Sequence, residues 1–146
     1  MRLVQDILNS KGHEVFHVAP ETTIFDAIQL MADNGIGSLL VMDQNKPIGI
    51  VTERDYARKV ALEGRSSRDA LVSEIMSSKV LCVSPERSIE DCMALMTEKR
   101  ARHLPVVDHK SVVGMISIGD LVKAVIAEQQ FMIDQLHDYI TGAHLG

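Results

Sequence analysis

Thr52 and Asp55 stand three residues apart at the end of an apolar run, and Ser117 and Asp120 repeat the arrangement sixty-five residues later. A small hydroxyl offers a donor and acceptors, whereas an ionised carboxylate only accepts. At a strand-to-helix junction the two suit the vicinal hydroxyls of a sugar. The carboxylate can take both hydrogen bonds of a ribose diol, as acidic residues do in dinucleotide folds, and amides at the helix start could meet a phosphate. The same spacing also serves a plain helix N-cap, so one copy alone would decide little. The chain carries two because it is duplicated. Val18, Pro20, Glu21, Ile24, Asp26, Leu30, Met31, Leu39, Val41, Asp43, Gly49 and Asp55 recur as Val83, Pro85, Glu86, Ile89, Asp91, Leu95, Met96, Leu104, Val106, Asp108, Gly114 and Asp120, with no gap. A tandem repeat predicts a pseudo-two-fold fold in which any cleft between the halves occurs twice.

Other reactive groupings are weaker. Arg54, Arg58, Lys59, Arg65 and Arg68 form a basic cluster in an acidic chain. It could hold a phosphate or diphosphate beside the first motif, or be a solvated helix face. His13 and His17, and His103 and His109, lack a carboxylate or thiol at zinc-ligand spacing, so no metal site is expected. Cys82 and His103 could fall near one cleft, but no third group orients them for nucleophilic catalysis. His103 reads instead as a phosphate contact or a structural side chain. Cys82 and Cys92 are too few for a disulfide framework and are expected as reduced, core-facing thiols.

The elements that must carry the motifs follow from periodicity. Val4 to Leu8 is a short amphipathic segment, and Val15-Phe16-His17-Val18 is a strand candidate. Thr23 is placed to cap a helix whose Ile24, Ala27, Ile28 and Met31 form one apolar stripe, ended by Gly35 and Gly37. Ser38 to Met42 predicts a central, doubly covered strand. Asp43 to Pro47 predicts a turn, Ile48 to Thr52 a second strand, and Glu53 to Leu62 a helix. The second half repeats the order: Val72 to Met76, Leu81-Cys82-Val83, a helix capped by Ser88 with Ile89, Cys92, Met93 and Met96 as its stripe, paired strands from His103 and Val112, and a longer last helix from near Ile118 to about Ile140. Each half reads β-α-β-β-α. Methionines 31, 93 and 96 read as core filler.

Each half is small for a stable core, so the two are expected to pack together. The net charge of −5 gives no basic field for a nucleic-acid backbone. No apolar run approaches a membrane span, and the N-terminus lacks a secretory signal core. The expectation is a cytoplasmic protein with neither nucleic acid nor membrane as partner.

Gly49-Ile50-Val51-Thr52-Glu53-Arg54-Asp55 and Gly114-Met115-Ile116-Ser117-Ile118-Gly119-Asp120, with the preceding strands from Ser38 and His103, resemble the signature of the cystathionine-β-synthase (CBS) domain. The resemblance runs from about Val4 to Gln129. It implies an α+β (α/β) fold: two pseudo-symmetric CBS repeats, 4–62 and 72–130, packed as one Bateman module, with a connector at 63–71 and a C-terminal helix extension and tail at 131–146. It implies clefts that draw on both repeats. One would join Thr52, Asp55, Ile50, Arg54 and Arg58 to Ser78, Lys79, Leu81, Cys82, Ala101, Arg102 and His103. The other would join Ser117, Asp120 and Met115 to Ser10, Lys11, Phe16, His17, Ile36, Gly37 and Ser38. Arg102 and His103 lie where the family places phosphate-facing basic residues, and the first repeat has Gly37 and Ser38 there, so the sites should be unequal. Ile36, Ile50, Ala101 and Met115 would cover an adenine. The ligand expected is an adenosine nucleotide, AMP first, then ADP, ATP or NAD, with no catalytic cofactor. The implied role is regulatory rather than enzymatic: binding would be transmitted to an unknown downstream protein by a conformational change. The rivals are a ligand-free interaction scaffold and a nucleotide-hydrolysing enzyme. The apolar last helix (Leu121, Val125, Ile126, Met132, Ile133, Leu136, Ile140) predicts an interface, and the family implies a homodimer through its helices.

Overall fold

The computed structural model describes residues 2–142; the expected tail over 143–146 lies outside the described residues. The first half comprises α1 (Val4–Lys11), β1 (His17–Val18), α2 (Ile24–Asn34), β2 (Ser38–Asp43), β3 (Lys46–Thr52) and α3 (Glu53–Tyr56), which runs on as a π-helical turn over Ala57–Ala61. The second comprises α4 (Val72–Ile75), α5 (Ile89–Lys99), β4 (His103–Asp108), β5 (Ser111–Ser117) and α6 (Ile118–Thr141).

The caps and turns form as their residues require. Thr23 Oγ1 accepts from the Asp26 amide at 3.2 Å, and Ser88 Oγ accepts from the Asp91 amide at 3.1 Å. β2 lies between β1, parallel to it, and β3, antiparallel. Leu39, Leu40 and Val41 are all fully buried, as expected of a strand covered on both faces. Each hairpin closes on two left-handed residues, Gln44-Asn45 and His109-Lys110, the backbone that a two-residue turn between twisted strands demands. Each also carries a register shift at the same repeat position, after Val41 and after Val106.

The repeats differ in two respects from the expected pattern. The Leu81-Cys82-Val83 strand does not form; a single parallel bridge joins Val83 to Val106. In the first half the Leu40 amide donates to the Phe16 carbonyl at 3.2 Å. The residue at Leu40's position in the second half is Pro105, which has no N–H to donate. Cys82 faces the surface rather than the core, as its counterpart His17 does beside buried Val18, while Cys92 is buried as expected. Met93 also leaves the predicted stripe and is 36% exposed; Ile89, Cys92 and Met96 alone form the buried face of α5.

There are two apolar cores, and each is completed by the other half's leading helix. Val4, Ile7 and Leu8 of α1 sit among Val83, Ile89, Met96, Leu104, Ile116 and Leu121. Ala70, Val72 and Ile75 sit among Ile24, Met31, Leu39, Val41 and Val51. Backbone hydrogen bonds fasten each exchange: the Val4 amide donates to the Arg87 carbonyl at 2.9 Å, and the Val72 amide to the Thr22 carbonyl at 2.8 Å. The strand glycines make room for the visitors. A Cβ on Gly114 would stand 2.5 Å from a methyl of Leu8, and one on Gly49 would stand 2.4 Å from the sulfur of Met76 and 3.0 Å from the Ser77 carbonyl oxygen. The close approach that strand glycine permits is thus to this chain's own leading segments.

Candidate functional site

Both motifs fold as reciprocal caps. In the first, Thr52 Oγ1 accepts from the Asp55 amide at 3.1 Å, and Asp55 Oδ2 accepts from the Thr52 amide at 3.0 Å and its hydroxyl at 3.1 Å. In the second, Ser117 Oγ accepts from the Asp120 amide at 3.1 Å, and Asp120 Oδ2 accepts from the Ser117 amide at 2.8 Å. Each aspartate also meets a lysine. Lys59 Nζ lies 3.2 Å from Asp55 Oδ1 and donates to the Ile75 carbonyl at 2.9 Å. Lys11 Nζ lies 2.8 Å from Asp120 Oδ2 and donates to the Met115 carbonyl at 2.9 Å. In the first motif capping coexists with a carboxylate on the cleft wall, and both carboxylates remain 17% exposed. The helix-start amides are less available than expected. The Glu53 amide donates to the Gly37 carbonyl, the Ile118 amide to the Arg102 carbonyl, and the Asp55 and Asp120 amides to their caps.

Beside each motif lies a cavity built from both halves. The first, about 360 Å³, is lined by Ile50, Thr52, Glu53, Arg54 and Asp55 from one half and by Ser77, Lys79, Leu81, Arg100, Ala101, Arg102 and His103 from the other, with Gly37 at its edge. The second, about 370 Å³, is lined by Met115, Ser117 and His103 and by Lys11, Gly12, Glu14, Val15, Phe16, Ile36, Gly37 and Ser38. His103 and Gly37 border both. These volumes fall in the range of small-molecule sites.

Most of the residues expected from the sequence converge as expected, with exceptions that have local causes. Asp120 does not line the second cavity; Lys11, bonded to it, lines it instead. Arg58 and Cys82, like Ser10, His17 and Ser78, line neither. The basic cluster does not assemble. Arg54 faces the first cavity, Lys59 is held by Asp55, Arg65 pairs with Glu74, and Arg68 stacks 4.0 Å above the Phe25 ring. Arg100, Glu53 and Ser77 in the first cavity and Gly12, Glu14 and Val15 in the second were not expected. A signal for the last three was present: five positions separate Lys11 from Phe16, but only two separate Lys79 from Leu81.

Two groups of the motifs and cavities are electrostatically perturbed. Burial pushes the Asp120 carboxyl up, but the Lys11 ammonium and the Ser117 amide and hydroxyl outweigh it and hold it below its usual range. Burial pulls the His103 imidazole below its usual range; the Asp120 carboxylate opposes this, and Lys11 and Arg102 reinforce it. His103 is therefore neutral at pH 7. Among the described residues no group of three or more His, Cys, Asp or Glu could hold a metal ion, and no helix is long and apolar enough to cross a membrane.

Comparison with known proteins agrees with this geometry. The CBS domain profile matches residues 4–62 and 72–127. A solved structure of a candidate signal-transduction protein with CBS domains from Burkholderia ambifaria is 54% identical, with a TM-score of 0.84 over 88% of this chain and 96% of that one. A crystal structure of another CBS domain protein is 48% identical, with a TM-score of 0.81 over 86% and 98%. The Arabidopsis thaliana protein named CBS domain-containing protein CBSX3, mitochondrial, is 37% identical over 150 residues, 97% of this chain and 73% of its own length. With its duplicated motif, its two-fold arrangement of α+β halves and these relatives, the chain belongs to the CBS domain family as a tandem pair of CBS domains.

Proposed function

We propose that the chain is a regulatory module that binds an adenosine nucleotide in the clefts between its repeats. The observation that carries this reading is the first cavity, where the Thr52–Asp55 hydroxyl and carboxylate of one half face Lys79, Arg100, Arg102 and His103 of the other. A ribose diol suits Asp55, an anionic phosphate suits the cations Lys79, Arg100 and Arg102, and Ile50 and Ala101 offer apolar cover for a base. The candidates are AMP, ADP, ATP and NAD. The ligand touches both halves at once, so binding shifts how they sit against one another, and a downstream protein reads the shift. No chemical step enters this reading, and the protein acts in the cytoplasm.

Calorimetric titration with AMP, ADP, ATP and NAD tests it. Wild type is expected to bind at least one of them, and Asp55→Ala to weaken it by about tenfold, the loss of one hydrogen-bonded charged contact. No heat at millimolar nucleotide would favour an interaction scaffold with empty clefts. Turnover of ATP with or without magnesium would favour an enzyme.

The reading includes a homodimer through α6. Val122, Ile126, Gln129, Ile133, Leu136 and Ile140 follow one another at alternating spacings of four and three, and the five apolar ones are all exposed. That is a coiled-coil seam with isoleucine at one core position and mostly leucine or valine at the other. Light scattering is expected to give a dimer for wild type and a monomer for Ile133→Asp.

A further inference from the structure

We infer that the two clefts divide their ligands by phosphate number, and that Arg100 makes the first cleft the polyphosphate site. Four cations, Arg54, Lys79, Arg100 and Arg102, line that cavity against two carboxylates, Glu53 and Asp55. Asp55 is already matched by Lys59, which adds a further positive charge behind it. The second cavity has one cation, Lys11, against one carboxylate, Glu14, and Lys11 is engaged with Asp120. A tri- or diphosphate tail brings three or four negative charges and needs several cations at once. Only the first cleft supplies them.

Arg100 is the residue whose presence there has no other structural reason. It ends α5 in the left-handed conformation, φ 53° and ψ 35°, just as Gly35 ends α2 at φ 63° and ψ 35°. The amide two residues past each helix makes the same closing bond, Ile36 to the Met31 carbonyl and Ala101 to the Met96 carbonyl. Glycine suits this position because it has no Cβ to clash. A branched or long side chain here is uncommon, and a strained residue beside a cleft points to a role for its side chain. The second repeat accepts that strain and gains a guanidinium on the cavity wall, where the first repeat has none.

The inference rests on the nucleotide reading for its adenosine part only, and the test separates the two. Calorimetry at low ionic strength would titrate inorganic tripolyphosphate, AMP and ATP into wild type, Arg100→Gly and Arg100→Lys, with thermal unfolding run on each. Wild type is expected to bind ATP more tightly than AMP and to bind tripolyphosphate. Arg100→Gly is expected to weaken ATP and tripolyphosphate about tenfold and AMP little, while its Tm rises by roughly 2–4 °C as the strain is relieved. Arg100→Lys should keep part of the affinity and none of the Tm gain. Equal affinity of wild type for ATP and AMP, no binding of tripolyphosphate, or an unchanged ATP-to-AMP ratio in Arg100→Gly would each overturn it. Tripolyphosphate binding that depends on Arg100, with no adenosine nucleotide bound, would sustain the cation site and remove the adenosine reading.

Discussion

Lys11 and Lys79 hold the same place in the two leading segments, yet only Lys11 reaches the aspartate of its cleft. Both segments begin alike: the Leu3 amide donates to the Asp6 carboxylate at 2.9 Å, and the Leu71 amide to the Glu74 carboxylate at 2.8 Å. They then part. α1 stays helical as far as Lys11, which lays its ammonium on Asp120. α4 stops at Ile75, and the chain runs flat along β3, with Ile50 and Ser77 exchanging backbone hydrogen bonds at 3.0 and 2.9 Å. Lys79 therefore arrives at the cavity wall and leaves Asp55 to Lys59. The first half can continue its helix because Gly12, His13 and Glu14 lengthen the way to β1. The lesson is that a few residues of loop decide whether the lysine meets its cleft's aspartate or lines the cavity wall, while Arg54, Arg100 and Arg102, standing where the other repeat has Gly119, Gly35 and Gly37, complete the cationic cleft.

The comparison can be broken at its supports first. Leu8 is fully buried in the core of the opposite half. Leu8→Ala is expected to cost about 2–5 kcal/mol by chemical denaturation, with amides of α5 and β5 losing hydrogen-exchange protection before those of β2. Loss spread evenly over both halves would show that the cores are one cooperative unit. Gly114→Ala is expected to cost about 1–3 kcal/mol, because its new methyl meets a Leu8 that has nowhere to go. Gly49→Ala should cost at least as much, since its new methyl meets the Met76 sulfur and also the Ser77 backbone carbonyl, which the Ile50 amide holds in place. The reverse order would refute this account of the two glycines.

Smaller effects sharpen the electrostatic side. Lys11→Met removes the main group that holds the Asp120 carboxyl low, so its titration, followed by NMR, is expected to move up toward the ordinary range. In wild type the depressed Asp120 contributes stability above about pH 3.9 that is lost as pH falls through its native value. His103 acts in the same sense, in a higher pH window. Its native pKa lies below the unfolded one, so its contribution is full above about pH 6.5 and is lost as pH falls from there toward the native value. A phosphate beside it would favour the imidazolium, so nucleotide affinity is expected to rise modestly between pH 7.5 and 6, and the rise should vanish in His103→Gln.

Much of this was legible in the residues. The Thr23 and Ser88 caps, the apolar run of β2 and the stripe of α2 are local signals, and the structure follows them. Both clefts were legible because the duplication pairs each motif with the opposite half. What escaped was whatever depends on a partner distant in sequence. Cys82 looked like a core residue, yet it lies on the outward side next to buried Val83, as His17 does next to Val18. Met93 lies at helical spacing but stands 36% exposed. Arg58 and Arg68 share composition with Arg54 but not direction, since the π-helical turn and the Phe25 ring lead them elsewhere. Arg100 was readable only by setting it against Gly35.

Because α1 and α4 change places, the halves are interlocked rather than merely adjacent. A nick in the polar stretch 63–69 would yield two polypeptides, each bearing a plug for the other's interior and missing its own. Apart, each would expose a groove of aliphatic side chains; mixed, they would be expected to reassemble. Reciprocal insertion, more than the connector, holds this architecture together, and a tilt of one sheet would carry with it the helix seated in the other.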